Sequence, residues 1–405
     1  MRALPDGLSV REATSEDHDG IIAVCTEVFD GYEGAAVRHL LTHPGYGPGR
    51  WTVVVDADGA VVSTCVLLTH RLRYGQTEVP AVQIEFVATR EHARKKGLVR
   101  AQFDLHHRWA ADQGALVLLI TGIPYLYRRL GYGYGFAYAP QHRLLAAPKA
   151  PDGWTVEPAT ASDLPEIERL QVQSLDRIDV ALCWPETGWS WLLEGAPTWE
   201  EQVMVARQGD TVGGFARVQL RPEENYAVAE GAADAIAPAQ ALLAETAART
   251  ADVRLFLLER VGDPWGTVVR AAGASDPAWF NTVYARIPDP VAFLDHVRPE
   301  LSARLAASPY ATERGELALS FYEDGVILTY ADGVVTDVRR DPDPALDAMD
   351  DDKAGIAPDA VPALFLGRFG ARELEVRQDD VGYVADRDLV ATLFPRLVTD
   401  LCAPL

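Results

Sequence analysis

The clearest order in the chain is a hydrophobic pattern that occurs twice. Two apolar runs about a Gly turn, Trp51 to Val55 and Ala60 to Leu68, return as Val203 to Ala206 and Val212 to Leu220, each pair predicting a β-hairpin. Ahead of each hairpin lies a matching opening. Pro5-Asp6-Gly7-Leu8-Ser9-Val10-Arg11-Glu12-Ala13-Thr14-Ser15-Glu16-Asp17 aligns without a gap on Pro151-Asp152-Gly153-Trp154-Thr155-Val156-Glu157-Pro158-Ala159-Thr160-Ala161-Ser162-Asp163. In both, a strand ends in Ala-Thr, and an Asp three residues on helps start a helix, about Ile21 to Phe29 and Leu164 to Ser174. One unit has been used twice.

After the first hairpin an apolar strand runs from Val82 to about Thr89, and a tight turn opens a helix to about Gln113, stopped by Gly114. Ala115 to Thr121 is continuously apolar, as a buried strand is. From about Pro288 the pattern changes. A helical region from Val291 to Leu305, bent or broken near Pro299, precedes strands Leu317 to Tyr322, Val326 to Tyr330 and Val334 to Val338 with turns at Gly325 and Gly333. An acidic stretch including Asp341, Asp343, Asp347, Asp350, Asp351 and Asp352 reads as a solvated, mobile loop, and a last helix, about Asp388 to Phe394, stops at Pro395. The expected domains are 1–148, 149–287 and 288–405: two α/β units and an α+β domain.

Composition narrows the function. The chain has 405 residues, 48% of them apolar, enough for the cores of two or three domains. Its net charge of −22 argues against nucleic acid or an anionic membrane as partner and favours cationic substrates. Cys25, Cys65, Cys183 and Cys402 are scattered, with neither metal spacing nor a disulfide framework, which suits a reducing compartment. No apolar run approaches a membrane span and the N-terminus lacks a signal-peptide core, so the expectation is a soluble, cytoplasmic protein.

Against that acidic background, the turn after the Val82 strand collects Arg94, Lys95, Lys96 and Arg100 within seven residues. The first N–H groups of the following helix have no partner inside it and converge where an anion can sit, and Gly97 lets the backbone come close. Neither Gly-x-x-x-x-Gly-Lys-Ser/Thr nor Gly-x-Gly-x-x-Gly occurs. Arg94-x-x-Gly97-x-Val99 does, and it resembles the coenzyme A turn of the GNAT acetyltransferases, Arg/Gln-x-x-Gly-x-Gly/Ala, with Val99 larger than usual. Leu126-Tyr127-Arg128-Arg129-Leu130-Gly131-Tyr132 resembles the second GNAT signature, a helix end. The resemblance implies that the two strands splay around the pantetheine arm of acetyl-CoA. Val87, Ala88 and Thr89 then contact that arm, and Arg94, Lys95, Lys96, Gly97, Leu98 and Val99 hold the pyrophosphate, with Arg100 adding charge. The second copy has no such cluster between about Ala227 and Ala239, where it is Ala-rich and acidic, so it reads as a structural copy walling the cleft.

The order of an active GNAT unit, a degenerate one and a small α+β domain resembles the enhanced-intracellular-survival acetyltransferases, whose last domain is similar to sterol carrier proteins. Tyr127 stands where that superfamily has its general acid, which protonates the departing sulfur. Without the motif it reads as a core aromatic with its hydroxyl bonded. For the base there are two candidates. Glu85 is a carboxylate in an otherwise apolar strand, on one face with Val87 and Thr89 by alternation, and desolvation raises its pKa, although a salt bridge to a structural Arg is equally open. In the enhanced-intracellular-survival group the base is the chain-terminal carboxylate, here Leu405, which lacks the group's aromatic last residue.

Tyr32, Tyr46 and Trp51 lie in and beside the turn-rich segment His43 to Gly49, which in GNAT proteins often covers the acceptor site, and they read as cation-holding aromatics or as ordinary packing. His106 and His107 are adjacent on a helix, cannot share one face, and do not read as a metal site. The function expected is an acetyl-CoA-dependent N-acetyltransferase acting by direct attack of a small, cationic amine. Its alternative is a non-catalytic acyl-CoA- or lipid-binding protein. Homo-oligomerisation is expected by resemblance.

Overall fold

The computed structural model describes residues 2–29, 31–41, 49–123, 125–137, 139–184, 188–193, 201–221, 224–275, 282–345, 353–383 and 386–401. The first unit comprises β1 (Arg2–Ala3), β2 (Ser9–Glu12), α1 (His18–Val28), α2 (Gly31–Leu40), β3 (Arg50–Val55), β4 (Val61–Tyr74), β5 (Thr77–Thr89), α3 (Leu98–Asp112), β6 (Val117–Ile120), β7 (Gly133–Ala137) and β8 (Gln141–Leu144). The second comprises β9 (Thr155–Pro158), α4 (Leu164–Leu175), β10 (Val180–Cys183), α5 (Gly188–Leu193), β11 (Glu201–Gln208), β12 (Thr211–Arg221), β13 (Tyr226–Ala233), α6 (Ile236–Arg249), β14 (Arg254–Leu258), α7 (Pro264–Ala272), β15 (Gly273–Ser275) and β16 (Thr282–Arg286). The third comprises α8 (Pro290–His296), α9 (Arg298–Ala306), β17 (Arg314–Ser320), β18 (Gly325–Ala331), β19 (Val334–Arg340), β20 (Lys353–Ile356), α10 (Val361–Phe365), α11 (Ala371–Arg377), β21 (Val381–Tyr383), α12 (Arg387–Leu393) and β22 (Thr399–Asp400).

The duplicated opening folds the same way twice. Thr14 with Asp17, and Thr160 with Asp163, each close a capping box, the carboxylate accepting from the Thr backbone N–H at 2.7 and 2.8 Å. An arginine locks each Asp: Arg11 on Asp17 at 2.6 Å and Arg207 on Asp163 at 2.5 Å. The hydrogen bond from Arg11 outweighs burial and holds the Asp17 carboxyl down to about 2.

The two α/β sheets trade strands. In the first, of order β1-β2-β3-β4-β5-β6-β16-β7, strand β16 comes from the second unit. The second, β15-β8-β14-β13-β12-β11-β9, takes β8 from the first unit. The parallel β10–β22 pair also joins the first sheet, antiparallel to the tail of β4. The third sheet, β19-β18-β17-β20-β21, carries the last domain.

The bend expected near Pro299 falls at Val297, between α8 and α9. Phe365 lies at the centre of the third unit, with ring centroids 6.0 Å from Phe293, 5.9 Å from Phe321 and 5.1 Å from Phe394. These aromatics fill the space between helices and sheet. The same core continues under the first sheet, where the Tyr74 hydroxyl donates to the Phe365 carbonyl at 2.9 Å. The acidic stretch is partly corrected. Asp341 is buried and 3.5 Å from the Lys353 ammonium, because a buried carboxylate needs a partner; Asp347, Asp350, Asp351 and Asp352 lie outside the described residues.

Candidate active site

Strand β5 makes the site by separating from β6. Their parallel ladder runs from Ala81↔Val117 to Ile84↔Ile120 and stops, so residues 85–89 continue without that neighbour. At the same point the antiparallel pairing with β4 slips: Val66 faces Glu85, but Thr64 faces Ala88, leaving Phe86 and Val87 together opposite Cys65. This is a β-bulge, with Phe86 at φ 51°, in the left-handed region.

The extra residue moves every later side chain to the other face. Val87 packs with Ile84 and Tyr127, whereas Phe86 and Ala88 pack with α1. Glu85 and Val87 therefore lie on opposite faces, and the shared face expected from alternation is corrected. The cause is the pairing register with β4, which leaves no mark in β5's own sequence.

After β5, Lys95 (φ 65°) and Gly97 (φ 73°) are both left-handed, and Gly97 caps α3. A side chain built on Gly97 would point into open space, so glycine is needed for backbone conformation and for close approach of a ligand, not for packing. The first turn of α3 has no acidic residue. Lys96 pairs with Asp6 at 3.1 Å, while Arg94 donates to the Thr89 carbonyl at 3.1 Å and Arg100 to the Arg129 carbonyl at 3.3 Å. Arg94, Lys95 and Arg100 have no carboxylate partner among the described residues. Free N–H groups, left-handed turns and uncompensated cations together suit a diphosphate.

A cleft of 570 Å³ runs from this turn to Tyr127. Its wall includes Arg94, Lys95, Gly97, Leu98 and Val99 from the turn and Val87 and Thr89 from the strand. Ala88 is fully buried toward α1, and Lys96 and Arg100 stand outside the cleft wall. The sequence reading missed Phe29, Ile123 and Leu126, exposed apolar side chains in the same wall; in a chain with many apolar residues nothing marks them until the fold places them there.

Tyr127 begins a 3-10 turn rather than the expected helix end, closed by left-handed Gly131. It is only 4% exposed, stacked on Phe103 (6.0 Å) and edge-on to Tyr284 (5.6 Å). Its hydroxyl makes no hydrogen bond to a described residue. Burial, and then the charge of Glu85, push the phenol above its ordinary value, so it stays protonated at neutral pH. The Glu85 carboxyl takes hydrogen bonds from Gln83 (2.6 Å) and Thr121 (2.8 Å), both on Oε1. Burial raises its pKa against the pull of those bonds. Neither Gln83 nor Thr121 stood out in the sequence.

Trp51 is buried and stacked on Phe86 at 6.2 Å, so it packs the core. The Tyr32 side chain, Tyr46, Cys402 and Leu405 lie outside the described residues. The last described strand, β22, runs parallel to β10 and so points along β4 toward Val66, the partner of Glu85. His106 and His107 diverge: His106 sits among Thr52, Gln102 and Cys65, and His107 bonds the Tyr132 hydroxyl at 3.0 Å. Cys25 and Cys65 are buried free thiols, pushed up to about 12 by desolvation.

The second unit repeats the splay without the chemistry. Strands β13 and β14 pair from Tyr226↔Arg254 to Ala229↔Leu257 and then part, which gives Glu230 the place of Glu85. Here the ladder with β12 runs through without a bulge. Glu230 is clamped by Arg217 at 2.8 Å and faces Arg260 at 3.8 Å, all three buried, and Arg260 also binds Asp400 at 3.1 Å. A buried ion network thus neutralises Glu230, where Glu85 takes hydrogen bonds from the neutral side chains of Gln83 and Thr121.

The freed end of β5, the basic turn and the buried phenol thus line one cleft. Residues 9–135 match the family model described as acetyltransferase (GNAT) domain, so this part of the chain is a GNAT domain and the protein is an acyltransferase enzyme. Solved structures share the fold over nearly the whole length. A GCN5-related N-acetyltransferase from Kribbella flavida is 20% identical with a TM-score of 0.69, covering 97% of each chain. One from Anabaena variabilis is 14% identical at 0.69, covering 98% of this chain and 99% of its own. Eis1 from Mycobacterium abscessus is 16% identical at 0.61, with the same coverage of 98% and 99%. No curated protein matches the sequence at a significant level.

Proposed function

We propose that the protein is an acetyl-CoA-dependent N-acetyltransferase of the enhanced-intracellular-survival type, acting in the cytoplasm on a small cationic amine. The observation that carries this is the single cleft joining the basic turn, the freed end of β5 and Tyr127. In this reading the α3 N-terminus with Arg94, Lys95, Gly97, Leu98 and Val99 holds the diphosphate, Lys96 and Arg100 add charge from outside the cleft wall, and Val87, Thr89 and the Ala88 backbone hold the pantetheine arm. Glu85 takes a proton from the ammonium substrate. The amine nitrogen bonds to the thioester carbon, the C–S bond breaks, the thiolate takes the Tyr127 proton, and the second proton shed by the new amide nitrogen restores the Tyr127 phenol through solvent. The net charge of −22 favours a cationic acceptor. We assign 1–148 to the catalytic unit, 149–287 to the degenerate one and 288–405 to a sterol-carrier-like domain, in a homo-oligomer. Leu405 stays the rival base.

The test is thiol release from acetyl-CoA with a panel of aminoglycosides, polyamines and amino-acid amines. Tyr127→Phe should slow turnover about 100-fold, as should Glu85→Gln if it is the base. Deleting residues 402–405 should abolish activity only if Leu405 is the base. Binding of acetyl-CoA without thiol release for any amine would point to a carrier instead.

A further inference from the structure

The loop that presents Tyr127 belongs to the first unit, but what holds it comes from the second. We propose that Tyr284 is a positioning residue for Tyr127, so that the second unit supplies part of the transfer site and does more than wall it. The proposal rests on the acid role given to Tyr127 above.

Strand exchange puts Tyr284 there. In the ladder of β16, Tyr284 faces Ile120 of β6 on one side and Tyr134 of β7 on the other. Ile120 is the last residue of β6, where the chain turns toward Tyr127. The Tyr284 hydroxyl accepts a hydrogen bond from the Tyr125 N–H and donates to the Tyr134 hydroxyl at 2.9 Å. Tyr125 has φ 70°, a left-handed conformation that costs a non-glycine residue roughly 1 kcal/mol and persists only where its surroundings enforce it.

Packing alone does not require that hydroxyl. Tyr284 is 1% exposed, and its ring contacts Tyr127 at 5.6 Å and stacks on Tyr134 at 4.4 Å, which a phenylalanine ring would do equally well. Burying a hydroxyl is costly unless its bonds are made, and here one of them fixes the backbone two residues before Tyr127. Phe103 closes the opposite side, its ring 13° from parallel to that of Tyr127. Ring clamp and loop tether together set the direction of the phenol.

The experiment uses the full-length chain and the thiol-release assay. Tyr284→Phe should lower kcat about 10-fold while KM for acetyl-CoA changes less than about threefold. The double variant Tyr127→Phe/Tyr284→Phe should be within about twofold of Tyr127→Phe, because a residue acting through Tyr127 has nothing left to position. Tyr134→Phe, which keeps the Tyr284 ring and the bond to Tyr125, should show a smaller loss that also vanishes in the Tyr127→Phe background. It carries the test if Tyr284→Phe does not fold. Full activity of Tyr284→Phe, or losses that multiply with Tyr127→Phe, would overturn the proposal while leaving the acid role intact. An unaffected Tyr127→Phe would remove both.

Discussion

Glu85 is half-buried and Tyr127 buried, and desolvation raises the pKa of each. Burial raises the Glu85 pKa, and a base must be deprotonated to work, so the acid limb of kcat/KM should lie above the ordinary carboxylate range. Thr121 hydrogen-bonds the charged form; Thr121→Val should therefore move that limb to higher pH, and Glu85→Gln should abolish it, both read from a pH–rate profile. A limb unmoved by either would take the base role from Glu85. The lone Glu of an apolar strand was visible in the sequence because burying a carboxylate without purpose is costly. Which face it takes was not, since the bulge at Phe86–Val87 depends on how β4 pairs with it.

At the scale of elements, the turn from β5 into α3 is the proposed diphosphate site. Gly97→Ala meets no steric neighbour, so its expected cost is that of a left-handed alanine, about 1 kcal/mol in thermal unfolding, with a larger penalty on acetyl-CoA affinity where the methyl enters the cleft. Helix α3 is pinned by a buried polar network in which His106 bonds Thr52 and Cys65 at 3.0 Å each. Desolvation lowers His106 to about 3. The unfolded chain then binds a proton that the native state refuses, so stability falls as pH drops from about 6.5 toward that value. Asp263, raised to about 6, acts in the opposite sense over part of that window. The comparison with His106→Gln isolates the histidine: the wild type should lose more melting temperature between pH 7 and 4 than the variant. The turn was legible because its cations and glycine are contiguous; α2 was not, having Gly31 and Gly34 and only a weak apolar stripe.

The whole molecule is held together across its own duplication. The repeat could be read from matching openings and hairpins, yet the exchange of β8 and β16 could not, because short strands do not name a sheet more than a hundred residues away. Through that exchange β16 lies inside the first sheet, beside Tyr127. Cutting the Arg260–Asp400 contact with Asp400→Ala leaves a buried arginine short of a partner, with an expected loss of about 3 kcal/mol in denaturant unfolding. A loss under about 0.5 kcal/mol would show that the last strand is not tied to the second unit.

The diphosphate of acetyl-CoA is proposed to dock on the amides and cations at residues 94–100, and calorimetric titration measures that docking. Acetyl-CoA should bind the wild type, and the folded variant Arg94→Ala/Lys95→Ala should bind at least about 10-fold more weakly, two charge-assisted contacts being lost. Equal affinity in the two proteins would show that the diphosphate does not dock on this turn.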